Sequence, residues 1–147
     1  MTRREWLRAG LGLLAGTQVL LGLWILLLPE LFWKWRWVSH LPPYNEHLLR
    51  DFGGASLALA VVLCAAVAAM ERRLVVTALV AYLVASVSHL VFHAQHLEPL
   101  AAASGAGFMA LLGAAVVLPS ALLWLASDAA AFRPSGHSEP EAPDRRG

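Results

Sequence analysis

The sequence predicts an all-α, membrane-embedded antiparallel four-helix bundle, and three observations carry that prediction. Of 147 residues, 59% are hydrophobic and only 14% charged, whereas soluble domains average roughly 25% charge. Mean hydropathy is +0.61. Four runs without Asp, Glu, Lys or Arg, at 9–29, 52–70, 74–92 and 99–127, match the roughly 20 apolar residues that a helix needs to cross a hydrocarbon core. Backbone amides cannot stay unpaired in lipid, so such runs fold as helices. With capping and loops allowed for, the spans fall at about 9–29, 49–70, 74–96 and 104–127, in one domain covering 1–130.

The first span follows Thr2-Arg3-Arg4-Glu5-Trp6-Leu7-Arg8, which has the look of a twin-arginine export signal. The apolar run behind it is as long as a full span and has no small-x-small cleavage site, which favours an uncleaved helix. Between the first two spans, Leu31-Phe32-Trp33-Lys34-Trp35-Arg36-Trp37 interleaves three tryptophans with two cations. Tryptophan rings settle at headgroup level, so this loop reads as an interfacial belt, with a lid over a pocket as the other reading. The second span starts after Pro42-Pro43, with Asn45 as cap and Glu46 as first-turn acid. Only Glu71, Arg72 and Arg73 separate it from the third, which makes those two helices antiparallel neighbours. The tail, 131–147, is rich in proline, glycine and mixed charge and is expected to be disordered.

Flanking basic residues orient the chain, because they stay on the cytoplasmic side. Eight (Arg3, Arg4, Arg8, Arg72, Arg73, Arg133, Arg145, Arg146) fall on one side and three (Lys34, Arg36, Arg50) on the other. Both termini, and the tail, are thus expected in the cytoplasm of a cell whose inner membrane the protein crosses. The balance of 11 basic and 10 acidic residues without blocks of one sign speaks against nucleic acid as a partner. The single cysteine, Cys64, excludes an intrachain disulfide, a CxxC pair and a cysteine-ligated iron–sulfur cluster.

Membrane helices associate where small residues let backbones approach. Gly12-x-x-x-Gly16, Gly54 with Ala58, and Ala106, Ala110 and Ala114 supply such faces. They are expected to pack within the bundle, with homo-oligomerisation as the lesser use.

Chemistry concentrates at the expected outer membrane face, where His40, His47, His89, His93 and His96 gather. On a helix His93 lies about 40° from His89, and His96 about 20° from His89 on the other side. That stripe runs on through Ser86, Ala85 and Tyr82 and is expected to look into the bundle. His47 and Asp51 share a face one turn apart, continuing through Gly54, Ala55 and Ala58. Asp51 lies 20 residues before Glu71 and His93 lies 20 after Arg73, so the two are expected to face each other.

Ionisable groups in a bilayer are costly unless paired or ligated, which makes them functional candidates. His47, Asp51, His89, His93 and His96 form a candidate nitrogen and oxygen ligand set for zinc, iron or copper, with Asn45, Glu46 and Arg50 orienting the ligands. A bound ion with an open position would support hydrolytic or oxidative chemistry on a lipid or quinone. Haem is a second reading, with His47 and His89 or His93 as opposed imidazoles. The third is a structural polar cap in a non-enzymatic membrane subunit or scaffold, with Arg50 paired to Glu46 and Asp51 to a histidine. Ser86 and Ser88 lie near histidines, but no GxSxG elbow supports a serine nucleophile. His137, in the tail, and Cys64, in mid-span, carry no chemistry on this reading.

The patterns Tyr44-Asn45-Glu46-His47-x-x-Arg50-Asp51-x-Gly53-Gly54 and His89-Leu90-x-Phe92-His93-x-x-His96-Leu97 resemble those of small bacterial four-helix membrane proteins. A weaker resemblance reaches the DoxX-like group through the Arg and the Gly-rich start of the second helix. It covers most of residues 9–127 and implies the four-helix architecture. The thiol or quinone redox chemistry linked to that group would lack a thiol pair here, and the resemblance does not account for the histidines.

Overall fold

The computed structural model describes residues 2–35, 37–39, 43–96, 102–128 and 132, with backbone alone at 102 and 103. Four long apolar helices and one short one make up the fold: α1 (Arg3–Leu27), α2 (Pro29–Trp33), α3 (Glu46–Ala69), α4 (Arg72–Ala94) and α5 (Ala102–Ser127). The four long ones are each long and apolar enough to cross a membrane. Among the described residues there is no strand.

Local chemistry sets the ends. α1 begins six residues before the uncharged run because Thr2 and Glu5 form a reciprocal capping box, with Thr2 Oγ1 accepting from the Glu5 amide at 3.2 Å and Glu5 Oε2 from the Thr2 amide at 2.8 Å. It stops at Leu28, where Pro29 has no N–H to continue the ladder and instead opens α2. Asn45 caps α3 as expected, its side-chain oxygen accepting from the Leu48 amide at 3.1 Å. α3 ends at Met70, in the left-handed region at φ 47°, a conformation that costs a non-glycine residue about 1 kcal/mol. Its buried side chain joins the core and offsets that cost.

The turn between α3 and α4 is Met70 and Glu71 alone, so the two helices form a tight antiparallel hairpin. α3 also lies along α1, α4 along α5, and α1 against α5, which closes a ring in which every neighbour is antiparallel. Arginines tie the end where α1 and α4 begin. Arg3 pairs with Asp128 at 2.9 Å and lies over the Trp124 ring, and Arg72 Nε donates to the Ala126 carbonyl at 3.3 Å, capping α5. Leu7, Leu11, Leu63, Leu79 and Leu122 lead the aliphatic core beside them.

The small-residue faces behave differently from expectation. A side chain grafted onto Gly12, Gly16 or Gly54 would meet nothing, and Ala58, Ala106, Ala110 and Ala114 are all exposed. The close approach is instead at Gly22 and Gly53. A Cβ on Gly53 would sit 2.8 Å from the Leu26 amide nitrogen and 3.0 Å from the Gly22 carbonyl, backbone against backbone. In helices that are apolar all round, four-residue spacings of small residues recur on several faces, and the neighbour's position decides which is used. The expected tail lies outside the described residues except for Phe132. That residue packs on the core, and its carbonyl accepts from Arg4 at 3.4 Å.

Candidate functional site

At the end of the bundle opposite the first residues of α1, the start of α3 carries Glu46, His47, Arg50 and Asp51 on two faces. Arg50 points toward α1, donating from Nε to Glu46 Oε1 at 2.8 Å and from Nη1 to the Leu26 carbonyl at 2.7 Å. Leu26 is in the last turn of α1, whose carbonyls have lost their helical donors. A guanidinium there satisfies one of them and faces the negative end of the helix dipole. Asn45, Glu46 and Arg50 therefore cap and splice helix ends.

His47 and Asp51 lie on the other face. His47 Nε2 is 3.4 Å from Asp51 Oδ2, and the two side chains are 89% and 65% exposed. The buried residues of α3 (Gly53, Ser56, Ala60, Leu63, Ala66) centre about 160° around the helix from this pair. The expected meeting of Asp51 with His93 does not occur. The α3 side chain that reaches α4 at this level is Phe52, about 100° further round, its ring stacked on His89 at 5.9 Å between centroids.

On α4, His93 takes the inward position, 5% exposed, in line with Val75 and Tyr82. Its ring meets His89 edge-on at 4.5 Å and Phe108 of α5 at 4.8 Å. His89 sits at the rim toward α3. His96 turns outward, stacked on Phe92 at 4.3 Å, with Nδ1 2.7 Å from the Phe92 carbonyl, so that Nδ1 carries the proton. Of the expected inward stripe, Tyr82 is buried, Ser86 half-buried and Ala85 exposed.

The candidate ligands thus form two separate pairs, His47 with Asp51 and His89 with His93. Among the described residues no three or more His, Cys, Asp or Glu side chains gather closely enough to hold a metal ion. Transition ions held by nitrogen and oxygen donors take three or four protein ligands, so His47, Asp51, His89, His93 and His96 do not make one centre. The opposed imidazoles expected for haem are not formed by His47, which faces away from α4. His40 lies outside the described residues.

Sequence reasoning missed the ring chain in which these histidines sit. From Phe108 it passes to Trp37 at 5.7 Å, Trp35 at 5.8 Å, Trp24 at 5.1 Å and Phe32 at 5.5 Å. The tryptophan loop therefore folds back over the bundle. The alternation of aromatic residues through Trp33, Trp35 and Trp37 was the available signal. Beside it a cleft of about 250 Å³ is lined by Leu27, Leu28, Pro29, Glu30, Leu31, Tyr44, Glu46 and Arg50. Partial desolvation, then the Glu46 and Glu30 carboxylates, push the Tyr44 phenol above its ordinary value of 10.0, against the lowering effect of Arg50.

The chain matches no protein-family model, no curated protein and no solved structure.

Proposed function

We propose that this protein is a membrane subunit or scaffold whose outer-end polar groups fasten helices, with both termini in the cytoplasm of a cell bounded by that inner membrane. The observation that supports this most is Arg50, whose guanidinium joins the C-terminus of α1 to the first turn of α3 through the Leu26 carbonyl and Glu46. The orientation rests on the excess of arginine at the end where Arg3, Arg4 and Arg72 hold α5. The test is metal content. Protein purified in detergent should hold no stoichiometric zinc, iron or copper and show no haem absorbance, with His93→Ala and Asp51→Ala indistinguishable from the parent. One equivalent of metal, lost in His93→Ala, overturns the proposal.

A second reading has one observation in its favour. His89 and His93 adjoin ring to ring, and two imidazoles are half of a ligand set for a transition ion. On that reading the remaining donors come from outside the described residues, and the same metal measurement decides between the two.

A further inference from the structure

The cleft of about 250 Å³ beside the tryptophan loop lies where two spans have their ends together, the last turn of α1 and the first turn of α3. That is the level of lipid headgroups. Two carboxylates, Glu30 and Glu46, line it against one guanidinium, Arg50, which leaves one negative charge in excess. The excess sits on Glu30. Glu46 is held by Arg50 at 2.8 Å, whereas among the described residues Glu30 makes no ion pair, with Lys34 one turn on included. Desolvation, then the Glu46 and Glu30 carboxylates, raise the Tyr44 phenol, which therefore stays a neutral donor beside them. Arg50 gives Nε to Glu46 and Nη1 to the Leu26 carbonyl, and among the described residues its Nη2 is left for an acceptor from outside. Leu27, Leu28 and Leu31 line the same cleft and are exposed, so alkyl surface adjoins the charged groups.

We propose that this cleft binds the headgroup of a phosphoethanolamine lipid, its ammonium on Glu30 and its phosphate on Arg50. A primary ammonium brings three donors and no acceptor, which matches a carboxylate without a cation, and phosphate oxygens take guanidinium donors. The acyl chains then adjoin the exposed leucines. Other ligands match fewer of these groups. A trimethylammonium head has no N–H for Glu30 and is held by cages of aromatic faces, of which the described lining offers Tyr44 alone. A purely anionic head meets the excess negative charge. A metal ion lacks donors, since among the described residues no three His, Cys, Asp or Glu side chains gather. A soluble amine makes no use of the leucines. The inference goes beyond the subunit reading and does not depend on it, because metal content says nothing about the headgroup.

Native mass spectrometry of the full-length chain in detergent, titrated in turn with dioleoyl phosphatidylethanolamine, phosphatidylcholine and phosphatidylglycerol, tests it. The ethanolamine lipid should bind about five-fold more tightly than either of the others. Glu30→Gln should erase that preference, and Glu30→Lys should turn it toward phosphatidylglycerol, a gain that a misfolded chain would not show. Asp51→Asn removes a carboxylate at the same end of the bundle but outside the cleft, and should leave the order of the lipids unchanged. Soluble phosphoethanolamine, at the concentration of the lipid, should not displace it. Equal binding of the three lipids, or a parent preference for choline or glycerol headgroups, overturns the proposal. So does a preference that survives both substitutions of Glu30, an equal loss in Asp51→Asn, or displacement by the soluble headgroup.

Discussion

The two ends of this bundle are held by different materials. At the end where the termini lie, aliphatic side chains from all four long helices interlock, and arginines tie α1 and α4 to the end of α5. At the opposite end the helices meet through rings, in a chain from Phe52 through His89, His93 and Phe108 to the tryptophans of the loop. Aliphatic packing loses energy whenever a void opens. Flat rings at rims exchange partners at lower cost and present N–H groups to water. The first end resists the opening of voids, and the second is joined by ring contacts at its rim.

The largest expected effect lies in the aliphatic half. Leu63→Ala, at a fully buried position, should cost about 3 kcal/mol in denaturant titration in mixed micelles. Phe52→Ala, at the rim of the ring chain, should cost about 1 kcal/mol. Equal losses would erase the contrast between the ends. Next come two adjacent glycines. Gly53→Ala should cost about 2 kcal/mol, since backbone on the far side cannot yield. Gly54→Ala, with open space beside it, should stay within about 0.5 kcal/mol of the parent. Equivalent midpoints for the two would mean that α1 and α3 do not cross as closely as Gly22 and Gly53 require.

The arginine caps compare the ends directly. Arg50→Ala removes two short hydrogen bonds from a half-exposed guanidinium and should cost about 1 kcal/mol after screening. Arg72→Ala, with its longer bond to Ala126, should cost about 0.5 kcal/mol. The reverse order would shift the tighter fastening to the end of the termini. The smallest effect is at Tyr44. In a Tyr82→Phe background the phenolate absorbance should titrate above 10.0, and Glu46→Gln should bring the midpoint down. Because the folded value is raised, this phenol's contribution to stability is complete below the unfolded value and fades as pH rises through the folded one. A midpoint at or below 10.0 would remove Tyr44 from the influence of Glu46 and Glu30.

Length and hydropathy sufficed for the number of long helices, the hairpin after α3 and the Asn45 cap, because each depends on local chemistry, whereas the short α2 was read as loop. Which face each helix buries did not follow from pattern. With lipid outside and side chains inside equally apolar, the contrast that marks a buried stripe in a soluble helix is nearly gone. Asp51 and His93 were placed correctly along their helices, since depth follows from counting residues. They were misplaced around them, since rotation depends on Gly53 seating against Gly22. Phe52, one position after Asp51, has the rotation that reaches α4. The pairing of Arg50 with Glu46 was legible as an i, i+4 contact, but its bond to the Leu26 carbonyl required knowing that α1 ends there.

Met70 and Glu71 leave almost no slack between α3 and α4. A span joined to its neighbour by so short a link cannot be pushed deeper into the bilayer, or tilted, without carrying the neighbour along. Thinning or thickening of the surrounding lipid that acts on α3 is thereby handed to α4, and the hairpin responds to the membrane as one lever.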